Sequence, residues 1–341
     1  MLHTPGREEA RTQAINTAWE EVCCNLCGSE RRINFIHVAR SFRANQPMTL
    51  VKCLGCGLVY LNPRPAQAAI GQFYETGYYA HNDMAKRQAT LRGRIKDRFS
   101  QGLGGYGSSP DLWMLHRLGL TGWVDVIIPR TLRGKLLDVG CGDGERAYWY
   151  QKRGFEAYGV ETSAKAVANA RKLGLRIHEG TLSSAAYPDC HFDVIVMSHV
   201  LEHTHSPKAY LDECFRILKP NGTLAVAVPN IDSHSAHVFY SHWSFLMLPI
   251  HLYHFSVETL TAYLHKSGFS IISLVGKPVY PRMVRSSYRA IKQNEPFRKS
   301  LSAWLRSGVI ASGIATLKSG VEACDAITAY CVKPSDTHAN E

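Results

Sequence analysis

The sequence predicts an α/β protein built on a mostly parallel β-sheet that helices cover on both faces. Strand and helix patterns alternate from residue 134 to about residue 276. A glycine-dense turn follows the first predicted strand, and an acidic residue ends the second. Together these features indicate a nucleotide-cofactor cradle at the carboxyl ends of the strands. Strands are expected near 135–140, 156–160, 175–178, 192–197, 222–228, 269–275 and 325–332.

The glycine turn narrows the choice of cofactor. Residues Asp138–Gly144 read D-V-G-C-G-D-G, and Glu161 ends the second strand. Glycines at alternate positions allow positive φ and a close approach of the backbone to a ligand. A nicotinamide fingerprint G-x-G-x-x-G would place glycine at 145, where the chain has Glu145. The pattern G-x-G-x-G therefore suits a cofactor that presents no phosphate.

Three segments, in order, resemble class I S-adenosylmethionine-dependent methyltransferases. Asp138–Gly144 with Glu161 resembles their first motif and the acidic end of their second strand. Phe192–His203 resembles their fourth strand and the loop after it, and Arg216–Leu224 resembles their turn into strand five. The resemblance covers about half of the chain and implies a Rossmann-like, seven-stranded sheet with S-adenosyl-L-methionine as cofactor. A different doubly wound protein with a chance glycine turn is the alternative.

The resemblance also implies which residues bind the cofactor, because ligands lie beyond the carboxyl ends of parallel strands. Asp138 would orient the turn and the cofactor's amino group, and Glu161 would bind the ribose. The loop after strand three departs from the family, since Thr181 stands where an aspartate is common, so adenine contact through the backbone is expected there. The implied set is Asp138, Gly140, Gly142, Gly144, Glu161, Thr162, Thr181, Ser198 and His199.

Methyl transfer needs a nucleophile aligned with the methyl group and a base that removes its proton. Histidine suits that role near neutral pH. The candidates are His203, His251 and His254, with His254 preferred for its expected loop setting. The alternative for each is a hydrogen-bonded structural role. A metal site built on His251 and His254 is a further alternative, but no other histidine stands at a fixed spacing from them as the third ligand.

The cysteine spacing predicts a zinc site near the N-terminus. Cys24-x-x-Cys27 and Cys53-x-x-Cys56 form two knuckles of a four-thiolate site, which leaves no open position for substrate. The zinc is therefore expected to be structural. Two disulfides are the alternative pairing, and Cys23 is the alternative to Cys24 as a ligand.

The chain is expected to contain a loosely helical N-terminal arm, a zinc ribbon, a helical lid or linker, the methyltransferase domain with an insertion, and a short tail. In the lid, Gln67–Tyr79 is predicted to be a helix. Its aromatic residues would either reach the cofactor pocket or pack in the core; they are Phe73, Tyr74, Tyr78 and Tyr79. The predicted bounds are 1–20 for the arm, 21–65 for the zinc ribbon, 66–132 for the lid or linker, 133–334 for the methyltransferase domain with the insertion near 278–324, and 335–341 for the tail.

The formal net charge of +11 is compatible with nucleic acid, an anionic membrane surface or a phosphorylated substrate. Solvent-exposed helix faces explain this net charge equally well, because the basic residues concentrate at 86–98 and 282–306. Segment 282–317, which contains a short apolar stretch at 309–317, could serve as a homodimer contact, a core helix or a peripheral membrane contact. Residues 1–20 lack a signal-peptide pattern, so a cytoplasmic location is expected.

The whole arrangement resembles bacterial methyltransferases associated with sugar, cell-surface polysaccharide or secondary-metabolite biosynthesis. This implies a small or carrier-linked acceptor, with O-methylation of a sugar or other hydroxyl by a histidine base as the leading expectation. Three alternatives stay open: C-methylation of a nucleotide-linked sugar, a zinc-ribbon RNA methyltransferase and a non-catalytic scaffold. Nucleic acid is not the expected partner, because Ser198–Leu201 replaces the Asn-Pro-Pro-Tyr-type loop of enzymes that methylate nucleobase amines.

Overall fold

The computed structural model describes residues 19–39, 46–74, 126–129, 131–277, 281–294 and 320–335. Expectations for the arm before residue 19, most of the lid, Tyr78, Tyr79, segment 309–317 and the end of the tail lie outside the described residues. Among the residues that it does describe, no helix is long and apolar enough to cross a membrane.

The cysteine-rich segment forms a small antiparallel sheet and a separate two-stranded sheet. The strands of the two are β1 (Trp19–Glu20), β2 (Arg32–Val38), β3 (Met48–Cys53), β4 (Val59–Leu61) and β5 (Arg64–Pro65). Strands β2, β3 and β4 pair in that order, whereas β1 pairs with β5. The first cysteine knuckle precedes β2 and the second lies between β3 and β4.

The predicted seven-stranded sheet is confirmed. Its order is β12-β13-β10-β9-β6-β7-β8, with β13 antiparallel to both neighbours and the other pairs parallel. Central strand β9 is an apolar run whose residues 194–197 are fully buried, as expected for a strand covered on both faces. The strands are β6 (Lys135–Val139), β7 (Glu156–Glu161), β8 (Arg176–Glu179), β9 (Phe192–Ser198), β10 (Leu218–Pro229), β12 (Ser270–Lys277) and β13 (Ala326–Val332).

Helices connect these strands and begin at recognisable caps. Ser163 accepts a hydrogen bond from Ala166 at the start of α2, and Ser256 and Thr259 form a capping box at the start of α5. The predicted helix Gln67–Tyr79 is represented, among the described residues, by a 3₁₀ turn at Ile70–Phe73. The helices are α1 (Glu145–Lys152), α2 (Ala164–Arg171), α3 (Pro207–Ile217), α4 (His234–Phe239), α5 (Val257–Lys266) and α6 (Pro281–Asn294).

A two-residue strand, β11 (Tyr253–His254), joins the cysteine-rich sheet to the rest of the protein. It pairs with β4 and extends the small sheet to the order β11-β4-β3-β2. The backbone N–H of Leu61 also donates to the carbonyl of Leu252 at 2.9 Å. One apolar core runs through both parts, so the zinc ribbon expected over 21–65 shares its sheet and its core with the methyltransferase region.

Arg64 strengthens this connection with three hydrogen bonds. Its guanidinium donates to the Glu20 carboxylate at 2.8 Å, to the hydroxyl of Tyr253 at 2.8 Å and to the carbonyl of His205 at 2.9 Å. The Tyr253 hydroxyl in turn donates to the His205 carbonyl at 3.2 Å. This network ties β5 and β11 to the loop before α3.

Replacing Tyr253 with phenylalanine should lower the free energy of unfolding by about 1 kcal/mol, because the change deletes a hydroxyl bonded to a charged group inside the protein. Tyr253 is 2% exposed. The control is Tyr240→Phe, which removes a hydroxyl bonded to the Phe35 carbonyl on a residue that is 51% exposed. Urea denaturation should separate the two variants. Equal midpoints for both would contradict a stabilising role for the Arg64 network.

Candidate cofactor and acceptor site

Strands β6, β7 and β9 end at the same edge of the large sheet. Val139 lies opposite Val160 on one side and opposite Met197 on the other. The residues that follow each strand therefore emerge side by side, as the general rule for open α/β sheets requires. The predicted cofactor residues from the three strands are brought to one rim.

The glycine turn after β6 has the backbone geometry that the sequence predicted. Gly140, Gly142 and Gly144 have φ values of +66°, +56° and +80°. A Cβ atom on Gly140 would lie 2.4 Å from the Val200 side chain, which follows β9. A side chain at Gly140 is therefore excluded by both backbone conformation and space.

Glu161 is fixed beside this turn by two main-chain donors. The N–H of Gly142 donates to one carboxylate oxygen at 2.9 Å, and the N–H of Ser163 donates to the other at 2.9 Å. Oε1 also accepts from the Thr162 hydroxyl at 3.4 Å, whereas Oε2 keeps a further lone pair that can accept from a ribose hydroxyl. Thr162 follows on the exposed rim.

Asp138 lies directly under the turn and is fully buried. Its Oδ2 accepts from the Arg146 guanidinium at 3.2 Å, whereas its Oδ1 is buried and has no hydrogen-bond partner among the residues that the structure describes. Burial raises the pKa of the Asp138 carboxyl, and Arg146 opposes that shift. An amino group of the cofactor would supply the donor that Oδ1 lacks.

The loop after β8 uses the Thr181 side chain for its own structure. The Thr181 hydroxyl accepts from the N–H of Ser184 at 3.2 Å, and the N–H of Thr181 donates to the Ser184 hydroxyl at 2.9 Å. The Thr181 carbonyl accepts from the Ser184 hydroxyl at 2.9 Å, so the side chain and both main-chain polar groups of Thr181 are engaged within the loop. Adenine contact through the backbone stays a prediction here.

A cluster of histidines with one glutamate follows β9, next to Ser198 at the strand end. His199 has a positive φ of 55°, and its ring stacks on Phe245 at 5.9 Å between centroids. Its Nδ1 lies 3.3 Å from Oε1 of Glu202. Glu202 is fully buried, and within the part of the chain that the structure describes its Oε2 has no hydrogen-bond partner. Sequence reasoning overlooked Glu202, although it directly precedes His203.

His203 and His251 belong to the same cluster, with ring centroids 4.5 Å apart. Nδ1 of His203 lies 3.0 Å from the carbonyl of Ile250, and Nδ1 of His251 lies 2.7 Å from the carbonyl of Phe245. A carbonyl oxygen only accepts, so Nδ1 of His251 carries the hydrogen and its neutral ring has the lone pair on Nε2. Nδ1 of His203 also lies 3.0 Å from the Tyr74 hydroxyl, which would accept when His203 has the same tautomer. Burial lowers the pKa of His251 well below the ordinary histidine value.

Tyr74, one of the predicted lid aromatics, reaches this cluster. Its hydroxyl lies 3.0 Å from Nδ1 of His203. Phe73 instead packs against Trp19, with ring centroids 6.1 Å apart. Tyr74 therefore lies at the candidate site, whereas Phe73 contributes to the packing of β1.

His254 does not have the loop setting that the sequence suggested. It lies in β11 and is 3% exposed, and its Nε2 has no hydrogen-bond partner in the described part of the chain. Burial lowers the pKa of His254 to about 3. The expected loop setting of His254 was therefore wrong, because this residue is a buried member of a strand that pairs with β4.

The four predicted cysteine ligands come together. Their sulfurs all lie within 4.8 Å of one another, with Cys24 to Cys56 at 3.4 Å and Cys27 to Cys53 at 3.5 Å. Sulfurs bound to tetrahedral zinc at about 2.3 Å would be about 3.8 Å apart. The ten cysteines are free thiols, and exposed Cys23 lies outside the cluster.

Comparison with known proteins identifies the class of the large domain. Residues 115–274 match a family described as a methyltransferase domain. The stretch is therefore a class I S-adenosylmethionine-dependent methyltransferase domain, in agreement with the seven-stranded sheet and the glycine turn.

Individual relatives are similar over part of their length. The chain is 29% identical over 144 residues to a probable S-adenosylmethionine-dependent methyltransferase of Mycolicibacterium smegmatis, covering 41% of this chain and 54% of that protein. It is 28% identical over 160 residues to a ubiquinone biosynthesis O-methyltransferase of Azoarcus sp., covering 43% of this chain and 69% of that protein. The structure of a methyltransferase from Archaeoglobus fulgidus aligns with a TM-score of 0.45 at 17% identity, covering 75% of this chain and 100% of that chain.

Gly140→Ala should weaken binding of S-adenosylhomocysteine at least about tenfold, because the new methyl group collides with Val200 and displaces the turn. The positive φ of an alanine at this position would by itself cost about 1 to 2 kcal/mol. The control is Gly154→Ala, where φ is +90° and no atom of the described residues lies within 4 Å of the new Cβ. Calorimetric titration should find wild-type affinity in the control. Equal affinity in the Gly140 variant would contradict the assignment of this turn to the cofactor.

Proposed function

We propose that this protein transfers the methyl group of S-adenosyl-L-methionine to a hydroxyl oxygen of a sugar or of another small or carrier-linked acceptor. The observation that carries the proposal is the arrangement at the sheet edge. A glycine turn with a fixed carboxylate lies beside a cluster of histidines and a buried glutamate that follows the neighbouring strand. The first element suits the cofactor, and the second suits removal of a proton from the acceptor.

The cofactor residues would act by binding and orientation. Glu161 would hold the ribose, and Asp138 would accept from the amino group. Gly140 lets the chain pass close to the methionine portion. The sulfonium is already a good leaving group, so alignment of the acceptor and loss of its proton are the tasks left to the protein.

The acceptor would be activated at the accessible side of the histidine cluster. His199 and His203 are partly exposed, whereas His251 and His254 are 2% and 3% exposed. A base must reach the proton that it removes. We therefore assign proton removal to the exposed side of the cluster rather than to His254. The name of the Azoarcus relative, an O-methyltransferase, supports oxygen as the methylated atom.

We propose that the four-cysteine cluster binds one structural zinc ion. The four thiols fit tetrahedral coordination, and a site closed by four cysteines offers no position for an acceptor. When bound, zinc would cross-link the segment before β2 to the turn between β3 and β4. It would thereby stabilise the small sheet that β11 completes.

Glu161→Ala tests the cofactor site. Loss of a charged hydrogen bond should weaken binding of S-adenosylhomocysteine by about 1.5 to 3 kcal/mol in calorimetric titration. The matched control is Glu156→Ala at the other end of β7, where affinity should be unchanged.

The activity itself is tested by following labelled methyl transfer to nucleotide-linked sugars, simple glycosides and phenols. Transfer to one of them that Glu161→Ala reduces supports the proposal. Folded protein that does not bind S-adenosylhomocysteine contradicts it.

Cys53→Ser should remove the zinc of the cysteine cluster and lower the thermal unfolding midpoint, because zinc binding contributes directly to folding. Cys23→Ser is the control, since this neighbouring thiol is exposed and lies outside the cluster. Metal analysis of the purified proteins should show one zinc per chain fewer in the Cys53 variant only. Loss of zinc in the Cys23 variant would instead make Cys23 a ligand.

A further inference from the structure

We propose that Glu202, His203 and His251 form a second metal site, which binds a divalent transition metal ion of the Zn²⁺ type beside the methyl-transfer position. Their ligand atoms all lie within 4.8 Å of one another. The three residues come from the loop after β9 and from the segment that precedes β11. The cysteine cluster does not contribute to this group.

The two histidines are prepared as ligands by their hydrogen bonds. Metal-bound histidines usually donate the other ring N–H to a carboxylate or a main-chain carbonyl, which fixes the tautomer and the ring orientation. Nδ1 of His203 faces the carbonyl of Ile250 in this way, and Nδ1 of His251 faces the carbonyl of Phe245. Both Nε2 lone pairs are therefore of the kind that binds a metal.

The glutamate provides a second, independent indication. Glu202 is fully buried, and its Oε2 has no hydrogen-bond partner among the described residues. A buried carboxylate oxygen without a donor is costly. A cation between Glu202 and the two imidazoles would satisfy that oxygen, and His199 would continue to contact Oε1.

The donor set indicates the class of metal. Two imidazoles and one carboxylate are typical of catalytic zinc sites, in which a fourth position stays open. At metal–ligand distances of about 2.0 to 2.2 Å, ligand atoms in a tetrahedral site are about 3.4 Å apart. The three ligand atoms, which all lie within 4.8 Å of one another, would move closer together on metal binding.

The role of this site rests on the proposed methyl transfer. The acceptor oxygen would occupy the open position, where the cation lowers the pKa of its hydroxyl group. The O–H proton would pass to His199, which Glu202 orients. The oxygen would then form a bond to the methyl carbon as the carbon–sulfur bond breaks, and S-adenosylhomocysteine would leave.

Metal analysis of the intact protein tests the site. Protein equilibrated with zinc chloride and then freed of unbound metal should contain two zinc ions per chain, one in the cysteine cluster and one at the new site. Glu202→Gln and His251→Gln should each retain one. His265→Gln is the control, because His265 is an exposed histidine of α5 outside the cluster, and it should retain two. Unchanged binding of S-adenosylhomocysteine would show that each variant is folded.

Wild-type protein alone also decides the matter, so the test does not depend on the variants. Protein whose cysteine cluster is filled with zinc should take up one Co²⁺ ion and show ligand-field bands without the intense thiolate charge-transfer band. The proposal would be overturned if wild-type protein took up no such Co²⁺ ion, or if Glu202→Gln and His251→Gln both retained the second metal ion. Methyl transfer by protein with a single zinc would overturn the metal site but leave the proposed function intact. Two zinc ions in protein that does not bind S-adenosylhomocysteine would support the metal site and contradict the proposed function.

Discussion

The pairing of β11 with β4 is the constraint on which the candidate site depends. The N–H of Leu61 donates to the carbonyl of Leu252, and the N–H of Leu252 donates to the carbonyl of Glu202 at 2.8 Å. The segment that carries His251 is thus held between the cysteine-rich sheet and the loop after β9. Any metal that stabilises the cysteine cluster would also stabilise the strand that positions His251. The small sheet is therefore part of the architecture of the site.

Two buried carboxylates mark the ends of the proposed reaction path. Asp138 lies under the glycine turn, and Glu202 lies under the histidine cluster. Each has one oxygen without a hydrogen-bond partner among the residues that the structure describes. Buried groups of this kind destabilise a fold unless a ligand satisfies them. Their positions at the carboxyl ends of β6 and β9 fit a site that binds a cationic cofactor on one side and a metal-held acceptor on the other.

Local signals in the sequence account for the parts of the protein that were predicted. Strand β9 has an apolar run at residues 194–197, the glycines at 140, 142 and 144 stand where positive φ is required, and the cysteine pairs have knuckle spacing. Each of these signals lies within a dozen residues of chain. The setting of His254 did not follow, because it depends on partners remote in sequence.

By itself, the sequence determined the seven-stranded sheet, the turn that suits the cofactor and the four-cysteine cluster, since each is encoded by hydrophobic pattern or residue spacing. Tertiary structure alone decided which histidines meet. His203 and His251 are 48 positions apart, and no periodicity relates them to each other or to Glu202. Strand pairing across β4 and β11 brings them together and buries His254, because a side chain's exposure depends on the elements that pack over it.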